Sequence, residues 1–476
     1  MKKRREGEGV TTFMQRCKIN EIIPMVKCEF HAIPDDHEGL CLLHSRQLNK
    51  DKENVFTNLI EAKLKEQDFD FRGVFFPGNT RFFIESEFTK ESDFSQAAFA
   101  GKADFHDSIF KEKVSFYGAT FSEDTNFYNI EFEKHVDFSR VRFVKETDFT
   151  DAIFKEGALF YKASFLGETE FNGVIFHGNS DFFRATFSGN IFFGIATIKK
   201  FINFDEAIIE NQLLLDRINW EKKLKIEIAF DASFDNISFT KNGIIRFRDI
   251  SLSRATFKGT DLRRCWFFNV DWNQVKGRNV IFEELSLNEK EKIWGSYRLK
   301  CNIKRNCSQE SNSKNKSECP EKSDYARVEE CYRYLKLSYE KAGDFKWAGD
   351  FHYGEMEMYR RASKWRWFPF YWYNLYWTLS GYGERPSRAL GWLAAFLAIF
   401  ASLLSWAGLE IMDPKHMAAF GDSFFYLLQK VTLQRPTWAE PAGFWGKLTA
   451  GLSVLLIPGQ AALFLLALRN RLGRRR

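Results

Sequence analysis

A chain of 476 residues is too long for one compact domain, so two or three units are expected. The formal charge of +6 sits largely at the two ends, in Lys2 to Arg5 and in Arg469, Arg471 and Arg474 to Arg476, which gives nucleic-acid binding little support. The eight Cys show no pairing pattern and the N-terminus lacks the apolar run of a secretory signal, so a reducing cytoplasm without disulfides is expected for the soluble part.

The first 66 residues read as an N-terminal cap. Cys17, Cys28, His31, Cys41 and His44 fall close together there, and three thiolates with one imidazole suit tetrahedral zinc. The expected ligands are Cys17, Cys28, Cys41 and His44, with His31 as a spare. The role would be structural, a staple for a segment too small to build its own core. The alternative is that reduced cysteines simply pack.

Residues 67–280 carry a repeat. Phe88, Phe94, Phe99, Phe105, Phe110, Phe116 and their successors to Phe187 advance by alternating steps of six and five. Two residues before each stands a small or β-branched side chain, as in Ala103, Ser108, Val114 and Ala119, so both positions point inward. Neither a helix nor a flat strand has this period, whereas a chain that turns a corner about every five residues does. Further on the step becomes five, with Leu252, Phe257, Leu262, Phe267 and Trp272. On these residues the chain resembles the pentapeptide-repeat family from about Phe69 to Val275, with a weak stretch near Phe201 to Lys225. The resemblance implies a right-handed quadrilateral β-helix of roughly nine coils, each of about 22 residues, forming a rod of about 45 Å. Some family members are acidic rods that mimic DNA. The mixed outward charges here favour a spacer or a surface for a cytoplasmic protein partner, with no nucleic acid expected.

Residues 281–323 form a linker with a polar insert, in which Cys301, Cys307 and Cys319 match no metal spacing. Residues 324–388 read as a helical hairpin followed by an interfacial aromatic helix. Val328, Tyr332, Leu335 and Tyr339 share one stripe, Gly343-Asp344 breaks the helix, and a second helix covers Phe345 to Arg361. In that helix, pairing of Glu357 with Arg361 is preferred to a metal site built on His352 and Glu355. The run is similar to the linker of membrane-bound pentapeptide-repeat proteins. Trp365 to Trp377 then make an aromatic belt suited to a membrane interface.

Residues 389–476 read as a membrane module. Ala389 to Leu409 and Leu448 to Leu468 are apolar runs without a charge, long enough to cross a bilayer. The Arg residues flanking both predict cytoplasmic termini and a multi-pass protein of the cell membrane. Between them, Asp422 to Thr432 is similar to the pore helix of the two-helix potassium-channel module. Where that family has its Gly-Tyr-Gly filter this chain has Leu433, Gln434, Arg435 and Pro436, so carbonyl coordination of potassium is not implied, and the pore-like loop comprises Thr432, Leu433, Gln434 and Arg435. Pro458, Gly459 and Gln460 are candidates for a hinge or a pore lining. The fold class is thus a mainly β solenoid with a helical hairpin and two transmembrane helices. The function expected is an ion-channel-like homo-oligomer, a tetramer by resemblance, with a cytoplasmic sensing or docking rod. The alternative is a non-conducting membrane-anchored scaffold. Nucleophile-base pairs, phosphate loops and framed carboxylate pairs are missing from the sequence, so no enzyme is expected.

Overall fold

A computed structural model describes residues 16–24, 28–30, 32, 36–47, 50–220, 232–275, 277–292, 322–363, 368, 371–411, 420–432, 434 and 436–472. The chain divides into two units, Met1–Asn273 and Gln274–Arg476.

The first unit is a β-solenoid. Its two-residue strands stack in parallel into four sheets of eight, seven, eight and eight strands, so the rod has about eight turns where the sequence predicts nine. The shortfall arises in the weak stretch. Partners lie 22 residues apart in most of the rod, as in Thr125 with Thr147, but 30 apart between Ile202 and Ala232 and 32 between Gln212 and Ile244. One enlarged coil of 30 to 32 residues therefore takes up 8 to 10 residues more than a regular coil of 22. After it the register tightens to 20 between Ile245 and Cys265, where the Phe step is five.

The strands alternate as the repeat requires. In Ala103-Asp104-Phe105 the first and third residues are buried and the Asp is half-exposed. Each Phe stacks on the Phe one coil away, with ring centres 4.9 Å apart for Phe116 and Phe138 and planes 3° from parallel. Rings on adjacent faces meet edge-on, as in Phe105 and Phe116 at 90°. Each buried ring contributes on the order of 2 kcal/mol of apolar burial.

The corners explain the alternating step. Every eleventh residue adopts the left-handed conformation, through Glu85, Gln96, Asp107, Gly118, Asn129, Arg140, Asp151, Lys162, Gly173, Arg184, Ile195, Glu206 and Arg217. In the regular coils these positions follow a Phe by two and close a tight turn, as in Ala97 N–H to Phe94 C=O at 3.0 Å. The five-residue steps contain this turn and the six-residue steps bend more openly. At the open bends the coils approach so closely that a Cβ on Gly189 would lie 1.9 Å from the Gly167 carbonyl oxygen. The N-terminal end of the rod is covered by a helix, Lys50–Lys65, that buries Phe56 and Ile60. Its Phe56 ring meets Phe76 edge-on at 5.8 Å.

In the second unit, helices Lys322–Lys341 and Phe345–Ala362 form the expected hairpin. Gly343 has φ +78° and the Asp344 side chain caps the second helix at Trp347 N–H. Val328, Tyr332, Leu335 and Tyr339 are all buried. Gly354 lets the helices close, because a Cβ there would lie 2.7 Å from the Tyr332 ring. Helix Trp372–Ser380 follows, then two long apolar helices, Pro386–Ala407 and Gly443–Leu472. Both are long and apolar enough to cross a membrane. The insert with Cys301, Cys307 and Cys319 lies outside the described residues, as do Trp365 and Trp367 of the aromatic belt.

Candidate functional site

Cys17, Cys28, Cys41 and His44 converge. Backbone bonds from Cys17 N–H to Phe30 C=O (2.9 Å) and from Lys18 N–H to Gly39 C=O (3.0 Å) bring the three segments together. A turn places His44 beside Cys41, with His44 N–H to Cys41 C=O at 3.1 Å. The four ligand atoms all lie within 4.8 Å of one another. Cys28 and Cys41 Sγ are 3.7 Å apart, Cys17 Sγ and His44 Nδ1 3.6 Å, and Cys41 Sγ and His44 Nδ1 3.1 Å. Tetrahedral zinc with bonds of about 2.3 Å to sulfur needs edges of about 3.8 Å, so the donor set fits that metal.

The surroundings support the same geometry. The Arg72 carbonyl lies 3.1 Å from His44 Nε2, which can donate to it and leaves Nδ1 as the ligand atom. The Cys41 amide donates to Cys17 Sγ at 3.3 Å. Hydrogen bonding with Cys28 holds the Cys17 thiol well below the usual range, while hydrogen bonding with Cys17 holds Cys41 well above it. Adjacent thiols cannot all ionise without a cation between them. The predicted ligands are thus brought together, and this Cys3His cluster can hold a metal. His31 lies outside the described residues.

Around the first long apolar helix the second unit is tied by polar groups. Glu357 accepts from Arg361 at 2.8 Å, the pair expected from spacing, and also from Arg360 at 2.7 Å. Arg360 reaches Asn374 Oδ1 at 3.0 Å and the Tyr382 hydroxyl at 3.1 Å, so the hairpin grips the next helix and the turn after it. Glu355 meets Lys336, Arg333 and His352 at 2.8, 3.1 and 3.5 Å, an ion-pair cluster within the hairpin. Gln460 is buried, and its Nε2 donates to the backbone carbonyls of Leu379 at 3.0 Å and Ala389 at 2.8 Å. Helix Gly443–Leu472 runs on through Pro458 and Gly459 without a break.

Between the two long helices, the short helix Phe420–Val431 buries Tyr426 and Leu427 against Phe400, Leu404, Ala450 and Ile457. Strands Leu409–Ile411 and Ala439–Pro441 pair antiparallel and close the connection. Trp438 Nε1 donates to Gln429 Oε1 at 2.7 Å, and Gln434 N–H to the Gln429 carbonyl at 2.9 Å, fixing the exit of the short helix. Thr432 and Gln434 are exposed, while Leu433 and Arg435 lie outside the described residues. The spacing signal missed the strand pair and the polar ties of Gln460, because strands of three residues and single amides leave no period.

Residues 83–131 and 127–175 match the family model described as pentapeptide repeats (9 copies). No curated protein and no solved structure matches the chain.

Proposed function

We propose that this chain is a membrane-anchored homo-oligomer, a tetramer, in which two transmembrane helices and the short helix between them form an ion-channel-like module and the pentapeptide-repeat rod serves sensing or docking in the cytoplasm. The observation that carries this reading is the packing of Phe420–Val431 against both long helices through Tyr426 and Leu427. A short helix held between two spans, followed by an exposed polar segment with Thr432 and Gln434, is the layout a pore lining requires in a symmetric oligomer. Large exposed apolar side chains such as Trp406 and Leu455 suit contact with lipid.

A specific observation favours a second reading, a non-conducting anchored scaffold. The Gln460 Nε2 group is engaged with backbone carbonyls, and the helix is continuous across Pro458-Gly459, so neither feature has the freedom of a gate. Mass measurement in mild detergent followed by liposome flux separates the two. A tetramer that passes ions supports the channel, a tetramer without flux leaves the scaffold, and a monomer removes both. The role is transport in the first reading and binding in the second, and catalysis in neither.

We further infer that Cys17, Cys28, Cys41 and His44 bind zinc as a structural centre. All four positions are filled by protein donors, so no open coordination site for chemistry on a substrate is implied.

A further inference from the structure

We propose that, in the homo-oligomer, the rods of neighbouring copies dock on one another, a cationic corner of one rod entering the acidic groove of the next. This rests on the oligomeric reading above and adds the surface through which the copies meet outside the membrane.

Arg140 and Lys162 occupy the same left-handed corner one coil apart, with φ of +58° and +54°. The Arg140 guanidinium lies 5.8 Å from the Tyr117 ring centre and the Lys162 amine 5.1 Å from that of Tyr161. Arg142 stands exposed two residues beyond Arg140. Around the following corner, Glu146, Asp148, Glu168 and Glu170 line a groove of about 400 Å³ together with Asp104, Asp124 and Lys102, whose amine pairs with Asp124 at 2.7 Å. Asp148 and Glu170 are register partners on adjacent strands, so like charges face each other directly, an unfavourable arrangement.

Elsewhere the rod pairs its stacked charges from coil to coil, as in Lys134 with Glu156 at 3.3 Å and Arg184 with Glu206 at 2.6 Å. Among the described residues, Arg140, Arg142 and Lys162 have no carboxylate at ion-pair distance, and those four carboxylates have no cation at that distance, Lys102 being paired with Asp124 instead. The two unpaired columns share their levels. In one coil Arg140 precedes Glu146 and Asp148, and in the next Lys162 precedes Glu168 and Glu170. The proposed docking sets two parallel rods side by side at the same level, which brings each cation opposite the carboxylates of its own level on the neighbour. A contact between two different surfaces of this kind closes into a ring when the rotation between copies closes, as it does in a cyclic oligomer. Exposed ion pairs are individually weak. Anchoring in one oligomer supplies the high effective concentration that makes several of them sufficient.

The test mixes ¹⁴N and ¹⁵N full-length chains in detergent, confirms the oligomer by mass, and couples amines to carboxylates with a carbodiimide. Mixed-label peptides joining Lys162 to Glu146, Asp148, Glu168 or Glu170 are expected. Their yield should fall at least fivefold in the Arg140→Glu, Arg142→Glu double variant and fall likewise at high salt, with the oligomer mass unchanged. Glu is tolerated at this corner, as Glu206 with φ +56° demonstrates, so the variant folds. An intact oligomer lacking those peptides, or giving the same yield in the double variant, overturns the docking alone. A monomer overturns the docking together with the oligomeric reading.

Discussion

Cys17, Cys41 and His44 are buried while Cys28 is half-exposed, so the cluster opens on one side only. The chain is expected to carry about one zinc, and Cys28→Ser to lose it, measured as metal content after dialysis against a weak chelator. Cobalt substitution should give thiolate charge-transfer absorption that the same variant weakens. Cys265→Ser serves as the control. That thiol is fully buried and pushed far above its usual range by burial, so it takes no part. Retention of zinc by Cys28→Ser would remove the centre. A second residue-scale expectation concerns Ile195, a β-branched side chain held at φ +56° and 60% exposed. Such a residue in the left-handed region costs about 1–3 kcal/mol, so Ile195→Asn should raise stability by about 1 kcal/mol. Gly189→Ala, which drives a Cβ into the Gly167 carbonyl, should lower it by more than about 1 kcal/mol. Both are read from denaturation midpoints.

Among the elements, the hairpin offers a pH test. Burial works to raise the Glu355 carboxyl, but His352, Lys336 and Arg333 outweigh it and hold it down to about 2 from an ordinary 4.5. The unfolded chain therefore binds the proton first as pH falls. The stabilisation is full above about 4.5 and is lost between there and about 2. Acid unfolding of the hairpin in that window should be shallower in Glu355→Gln, followed by hydrogen exchange of helix Phe345–Ala362. Equal profiles for the two proteins would show that the cluster contributes nothing. This hairpin was legible in advance because its stripe and its Gly-Asp break are local signals. The left-handed corners were not, because the solenoid imposes them on chemically unlike residues such as Gln96, Arg140 and Ile195, and Gly118, Asn129 and Gly173 among them are too scattered to mark the period. The cap helix Lys50–Lys65 escaped for a different reason. Phe56 and Ile60 are buried on it while Val55 lies exposed, too thin a stripe to stand out. The converging ligands were legible as residue types, but their coordination edges depend on backbone pairings far apart in sequence.

For the whole molecule, the proposed topology follows from where charge is allowed. Arg385 precedes the first apolar helix and Arg388 lies in its first turn, and Arg469 and Arg471 lie at the end of the second, with three more Arg beyond. The segment between the helices mixes Lys415, Lys430 and Arg435 with Glu410, Asp413 and Glu440, so it carries little bias. Under the proposed topology, basic flanks retained on the cytoplasmic side would keep both termini inside and put the short helix and the strand pair in the outer half. The eight-turn rod must in that case stay in the cytoplasm, where thiols remain reduced and the Cys3His cluster can ligate a metal instead of forming disulfides. Expressed in a bacterial host, a fluorescent-protein fusion at the C-terminus should glow and an alkaline phosphatase fusion there should be inactive. The phosphatase inserted near residue 415 should be active. Replacing Arg469 and Arg471 with Ser should leave this pattern largely intact, because the remaining basic tail and the pair at the start of the first helix still hold the ends. Phosphatase activity both near residue 415 and at the C-terminus of the unmodified chain would instead mean that the second helix does not cross, and the pore reading would fall, since a short helix held between two spans needs both of them to cross.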